Sequence, residues 1–322
     1  MAELNMVGAL NNALHLAFEK DSNVVTLGED VGVDGGVFRV TQGLIEKFGP
    51  ERVIDTGIAE AAIIGTSLGM TINGLKPIPE IQFSGFIYPA FQQLISHVSR
   101  MRNRTRGVFN AHMVIRSPYG GGVNALEHHS ESMEALYVHI PGLKVVIPSN
   151  PYDAKGLLLA AINDNDPVLF LEPKKLYRAF KQEIPEDYYE VPLGKAKTIQ
   201  EGSDITIIAW GAMVAVAEDA ASQAGCSCEI IDLRTIDPWD KAAIVNSVKK
   251  TGRAVIIHEA TKTGGFGGEI AATLQEECLL DLHAPVGRVT APDVIVPYLK
   301  SEHFYRPNSD MLVKKIQEIM KF

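Results

Sequence analysis

"NVVTLGED", residues 23–30, is a run of Val, Val, Thr and Leu without polar alternation, closed by Gly, Glu and Asp. A strand with one wet face alternates apolar and polar residues. A run that does not alternate fits a strand covered on both faces, as in a parallel sheet. Segments of the same type return at "GLKPIPEI" (74–81), "HMVIRSP" (112–118), "LKVVIPSN" (143–150) and "PVLFLEP" (167–173). Between them, 89–106 and 151–163 carry helix-like spacing. Strands alternating with helices specify an α/β fold.

The character changes at "KKLYRAFKQEIPEDYYEVPLGKAKTIQEGS" (174–203), which is charged, aromatic and Pro-containing, with no sustained apolar period. It is the expected linker. Beyond it α/β patterning resumes, with strands expected at "DITIIAWG", "CEIIDLRTI" and "RAVIIHEA" and helices at 212–225, 238–250 and "GGEIAATLQEEC". The expected organisation is a first domain over 1–175, a linker over 176–203 and a smaller α/β domain over 204–322.

Bulk properties narrow the classes. The 322 residues are 46% hydrophobic and 21% charged, a globular balance, and the net charge of -9 argues against a nucleic-acid surface. Three cysteines, Cys226, Cys228 and Cys278, are too few for a disulfide scaffold or a four-thiolate zinc site. Cys226 and Cys228 share a strand face and suit packing. "MAELNMVGALNNALHLAFEKD" lacks a cationic stretch followed by an apolar run, and reads as an amphipathic helix through Leu4, Val7, Leu10, Leu14 and Phe18. No apolar run reaches the length of a membrane span, so a cytoplasmic protein is expected.

One segment resists a purely structural reading. In "DTGIAEAAIIGTSLGM" (55–70), Glu60 is the only charge between Asp55 and Lys76, set among Ile58, Ala59, Ala61, Ala62, Ile63 and Ile64. Burying an ionised carboxylate costs several kcal/mol unless it is paired or protonated. Either a backbone amide or an arginine satisfies Glu60, or the acid is kept to trade a proton near neutral pH. The small residues around it leave room for a flat ligand.

Three further stretches carry chemistry-bearing residues. His128 and His129, in "NALEHHSESMEALYVHIPG", stand at a turn expected to open a helix, with Ser130 and Ser132 as cap or partner. They suit either a surface cap or proton transfer. The spacing excludes an HExxH zinc helix. "SRMRNRTRG" supplies Arg100, Arg102, Arg104 and Arg106, an interface stretch or a phosphate contact. "TGGFGGEI" (263–270) is Gly-rich before a helix but lacks both the G-x-G-x-x-G order and a P-loop Lys, so a tight strand–turn–helix corner is expected.

Taken together in chain order, "GEDV" with "GGVFRVT", "IAEAAIIGTSLGM", "PEIQFSGFIYPAFQQ", "IRSPYGGG", "HHSESMEALYVHIPGLKVVIPSNPYDAKGLL", "EIIDLRTIDPWD" and "HEATKTGGFGGEIAATLQEEC" span the chain from residue 3 to about 322. This resembles the beta subunit of the thiamine-dependent first component of 2-oxo-acid dehydrogenase complexes. "EIQF", "EPKKLYR", "LRTIDPWD" and "TLQEEC" are most similar to the branched-chain (2-oxoisovalerate) member, with a pyruvate or acetoin dehydrogenase as the alternative. A transketolase-like half protein performing ketol transfer and a non-catalytic scaffold are the other classes. The histidine motif speaks against the first, and Glu60 with an aromatic residue at 86 against the second.

The resemblance implies a thiamine-pyrimidine-binding α/β domain followed by a transketolase C-terminal-type domain. It also implies oxidative decarboxylation with reductive acylation of a lipoyl group on a dihydrolipoyl acyltransferase core. Residue by residue, Glu60 falls on the glutamate that bonds the ring nitrogen of the thiamine diphosphate aminopyrimidine. Ile58 and Gln82 fall on cofactor-lining positions, Phe86 on the aromatic that stacks on the pyrimidine, and Glu29 on an acid near the cofactor. His129 matches the histidine of lipoyl acylation. A potassium site of relatives would fall near Ala111, Met113, Val114, Ala161, Asp164 and Asp166, with Val114 in place of a hydroxyl residue and Asp166 in place of Asn. The chain contains no Gly-Asp-Gly motif. The resemblance therefore places the magnesium and diphosphate ligands on a separate alpha subunit, in an α₂β₂ assembly.

Overall fold

Val24–Gly28, Val114–Tyr119 and Val168–Pro173 are buried at every residue, the burial that their missing alternation demands. The computed structural model describes residues 1–322. These strands belong to a seven-stranded sheet in the order Thr235–Asp237, Lys144–Val146, Val168–Pro173, Val114–Tyr119, Lys76–Glu80, Val24–Gly28, Val53–Asp55. Every pairing in it is parallel except that of Thr235–Asp237 with Lys144–Val146. A second sheet runs Gly287–Ala291, Ala254–Thr261, Ile205–Ala209, Cys228–Asp232, Lys197–Gln200, with only the last pairing antiparallel.

Helices cover the first sheet. Met6–Lys20 starts at Asn5, whose side chain accepts from Gly8 N, and buries Leu10, Leu14 and Phe18. It packs on Pro151–Asn163, which starts at Asn150 and buries Leu157, Leu158 and Leu159. Pro at the first helical position suits the end whose backbone N–H groups have no intrahelical acceptor. One apolar cluster runs from Leu14 and Phe18 through Leu157 to Ile207, Met213 and Ile316, so the two sheets share a core.

Several expectations change. Leu4 leaves the helix stripe, because Ala2–Leu4 pairs with Gln182–Ile184. The stretch 176–203 is not free of structure: it carries that partner strand and Lys197–Gln200, which extends the second sheet. Both are short edge strands, too short to show a period. "CEIIDLRTI" divides into two strands at Leu233–Arg234, where Arg234 adopts φ 57° and its guanidinium binds Asp153 at 3.0 Å and Lys195 O at 2.9 Å. Thr235–Asp237 thereby crosses to the first sheet. Residues 89–106 form no single helix: Tyr88–Gln93 runs through a π-helical turn at Leu94–Val98 before Met101–Arg104.

The strand order fixes where a ligand can bind. After Gly28 the chain turns outward to Val53–Asp55, and after Asp55 it returns to the other side at Lys76–Glu80. At such a reversal the connections diverge and leave a crevice beyond the carboxyl ends of the strands.

Candidate active site at the sheet reversal

Glu29 and Asp30 follow the strand Val24–Gly28, and Gln82 follows Lys76–Glu80, so both sides of the crevice contribute. Gln82 Nε2 donates to Asp30 Oδ2 at 2.9 Å and lies 3.5 Å from Glu29 O, which ties the two sides together. Glu29 is buried. Its carboxyl is held above the usual carboxylate range, first by burial, then by the charges of Glu60 and Asp30.

Glu60 opens the 13-residue helix Glu60–Ile72. Only 9% exposed, its carboxylate takes no hydrogen bond or ion pair from the chain. The unpaired amides of the first helical turn provide a favourable field for a negative group there. The helix is not wholly buried as its composition suggests: Ile63, Ile64, Ser67 and Leu68 face the core, while Ala62, Thr66, Gly69 and Ile72 are exposed. Ile58, just before it, is 85% exposed.

Phe86 lies half-buried in the turn after Gln82. Its ring meets His129 edge-on at 5.2 Å between centroids, and Phe83 packs on His129 at 4.0 Å. His128 and His129 sit on a single short turn, Glu127–His129, and the next helix begins only at Glu134, so they do not open a helix. This turn rests directly on Gly85, where a Cβ would lie 2.0 Å from His128 O. Only glycine admits that approach. The His129 Nδ1 is buried without a partner, and burial, then His128 and Lys174, lower its basicity. The neutral imidazole is therefore favoured.

The sequence comparisons name the relatives of this arrangement. Residues 2–179 match the transketolase pyrimidine-binding domain family and 194–312 the transketolase C-terminal domain family. The chain is 52% identical to the pyruvate dehydrogenase E1 component subunit beta of Acholeplasma laidlawii, covering 100% of this chain and 99% of the relative. Identity is 50% to the Mycoplasma pneumoniae subunit of that name (99% and 98% covered) and 47% to the Staphylococcus aureus one (100% of both). The chain belongs to the beta subunits of the 2-oxo-acid dehydrogenase E1 component. Such a subunit is part of an oxidoreductase. A solved split-gene transketolase, an inactive beta4 tetramer, superposes with a TM-score of 0.80 at 23% identity over 99% of both chains, a likeness of fold.

In this beta subunit the residues expected around potassium meet a different situation. Asp164 pairs with Lys144, and Asp166 Oδ1 lies 2.9 Å from Arg102 Nε. The carbonyls of Met113 and Ala161 accept from Val168 N and Asp164 N, and Ala111 and Val114 are buried in the core. The two carboxylates expected near potassium are thus engaged by cationic side chains, Asp164 by Lys144 and Asp166 by Arg102.

Two residues of the site were not foreseen. Phe83 stands between Phe86 and His129. Lys174, 4% exposed with no partner for Nζ, lies 5.9 Å from the Phe83 ring, and burial pushes its ammonium down to about 8. Its signal was the paired lysine at the end of a buried strand in "FLEPKK".

The remaining motifs lie apart. A cleft of about 1600 Å³ takes in Arg100, Arg102 and Arg106 and none of the residues at the reversal. In "TGGFGG" the glycines serve packing: a Cβ on Gly265 or Gly267 would stand 2.6 or 2.7 Å from the buried His258 ring. Cys228 is buried with its Sγ 3.7 Å from Cys226 Sγ. No group of three or more His, Cys, Asp or Glu side chains is placed to hold a metal ion. No helix is long and apolar enough to cross a membrane.

Proposed function

We propose that this beta subunit binds the aminopyrimidine end of thiamine diphosphate at the sheet reversal and serves the oxidative decarboxylation of pyruvate. The observation that carries the reading is Glu60, a residue only 9% exposed whose carboxylate has no protein partner, at the positive end of a helix. Its oxygens are free to hold a proton toward a ring nitrogen. Gln82, fixed by Asp30, offers its carbonyl oxygen to a ring donor, and Phe86 and the exposed Ile58 offer apolar surface to a flat ring. Bound there, the cofactor supplies the nucleophilic carbon and the electron sink that loss of carbon dioxide requires. His129, neutral and with Nδ1 unpaired, is placed to exchange a proton when the acyl group passes to the lipoyl group of an acyltransferase.

The diphosphate and its magnesium need oxygen donors and converging backbone amides, and this chain carries neither a Gly-Asp-Gly motif nor a group of three metal-ligating side chains. We assign them to an alpha subunit that covers the open face around Ile58 and Glu60. The substrate assignment follows the relatives named for pyruvate. Of the segments most similar to the branched-chain member, "EIQF" carries Gln82 and Phe83 and "EPKKLYR" carries Lys174, while the other two lie away from the reversal. In "EPKKLYR", Glu172 and Tyr177 belong to a buried network with Arg116. "LRTIDPWD" carries the crossing strand, and "TLQEEC" ends a helix of the second domain.

The test is co-expression with the alpha subunit, then turnover of pyruvate against 3-methyl-2-oxobutanoate. Higher kcat/KM for pyruvate is expected. A preference for the branched acid would return the assignment to the branched-chain member.

A further inference from the structure

Residues 120–131 form a loop closed at its base by Gly120 N donating to Glu131 O at 3.2 Å, and its returning arm carries His128 and His129 against Phe83 and Phe86. Its base is held from the other domain. Gly121 N donates to Glu259 Oε1 at 2.9 Å, and Gly122 N donates to Glu302 Oε1. Arg306 Nε joins the two acids, 2.9 Å from Glu259 and 4.0 Å from Glu302. Glu259 and Glu302 are 5% and 1% exposed, so these are desolvated, charge-assisted bonds.

The glycines are fitted to this contact. A Cβ on Gly121 would lie 2.4 Å from Glu302 Oε1, and one on Gly122, at φ +100°, would lie 2.8 Å from Lys175 Cβ. Glu259 lies in the strand Ala254–Thr261 of the second sheet and Glu302 opens Glu302–Tyr305, so neither acid comes from an element of the first sheet.

We infer that the Glu259–Arg306–Glu302 cluster is a clamp by which the second domain positions His129 for acyl transfer. Glu259 and Glu302 are positioning residues. They touch neither cofactor nor substrate, but fix the outgoing arm of the loop whose returning arm presents the imidazole. This rests on the role given to His129 above. Bonds to charged acceptors are the strong ones, so losing one frees the loop more than losing a neutral contact would.

The experiment uses the assembled α₂β₂ enzyme with thiamine diphosphate and magnesium, and compares Glu259→Leu, Glu259→Gln, Gly121→Ala and His129→Ala. Dye-coupled decarboxylation and acylation of a lipoyl domain are measured separately, with amide hydrogen exchange over 120–131. Glu259→Leu and Gly121→Ala should slow acylation about tenfold or more through kcat, leave the KM for the lipoyl domain unchanged and change decarboxylation less than about twofold. Both should speed exchange over 120–131. Glu259→Gln, which retains an acceptor for Gly121 N, should recover part of the rate. If His129→Ala loses acylation selectively while Glu259→Leu and Gly121→Ala do not, the clamp is wrong and the His129 role stands. If His129→Ala itself shows no selective loss, the role and the clamp both fall. Variants that exchange as slowly as wild type would also overturn it.

Discussion

Glu29 responds to the charge of Glu60: burial lifts the Glu29 carboxyl above its ordinary range, and repulsion from Glu60 lifts it further. Glu29 begins the connection that leaves Val24–Gly28, and Glu60 opens the helix in the connection that leaves Val53–Asp55. Removing the charge at 60 must therefore be felt at 29. In Glu60→Gln, the Glu29 carboxyl should titrate lower than in wild type, followed by carbon NMR of the labelled carboxyl. In the assembled enzyme the same variant should lower decarboxylation by about 10²-fold or more, the scale of a lost proton-transfer group. Unchanged turnover would remove Glu60 from the chemistry.

Arg116 stands between two acids in the first sheet. Its Nη1 lies 2.7 Å from Glu80 Oε2 and its Nε 2.7 Å from Glu172 Oε1, with Tyr177 Oη donating to Glu172 at 2.6 Å. All three charged side chains are 4% exposed or less. Arg116→Met leaves two buried carboxylates without their cation, and breaking such a network costs about 3–5 kcal/mol. Denaturant unfolding should show that loss. A cost below 1 kcal/mol would mean that the acids are protonated or hydrated in the folded state.

The strands were legible because burial on both faces leaves its mark in composition, as at Val168–Pro173. What composition could not carry was where a chain crosses between sheets. Nothing in "DLRT" announces that Arg234 turns with φ 57° and sends Thr235–Asp237 to the first sheet, since the guanidinium contacts that hold the turn lie at Asp153 and Lys195. Glu60 could be singled out because it is the only charge in its segment. Lys174 was harder to single out: its place at the end of a buried strand was visible, but a lysine in a charged stretch looks solvated, and its burial without a partner for Nζ shows only in the fold.

Asp232 gives a pH dependence of stability. Fully buried and bonded by Ser149 and Arg234 N, its carboxyl is pushed up to about 7, chiefly by burial. A carboxyl whose folded value exceeds its unfolded one favours the folded state while protonated. The folded chain then binds more protons than the unfolded one between about 4 and 7, so stability falls as pH rises through that window. Asp232→Asn removes this dependence. Its thermal midpoint should decline less than that of wild type between pH 5 and 8, measured on the assembled enzyme. Parallel declines would show that Asp232 stays ionised throughout.

The final prediction concerns the subunit on its own. The cleft of about 1600 Å³ lies away from the reversal, while Ile58 and one face of the helix Glu60–Ile72 are open. Glu60, Gln82 and Phe86 can orient a pyrimidine, but the binding energy of a doubly charged diphosphate comes from a metal and converging amides. Isolated, the subunit should bind thiamine diphosphate weakly, without dependence on magnesium, and show no decarboxylation. Its exposed apolar surface should also favour self-association, because patches of that kind are normally covered. Titration calorimetry of the lone subunit with cofactor, with and without magnesium, then again after adding the alpha subunit, separates the contributions. Tight binding only in the last titration supports a divided site. Tight, magnesium-dependent binding by the lone subunit would show that this chain holds the diphosphate itself.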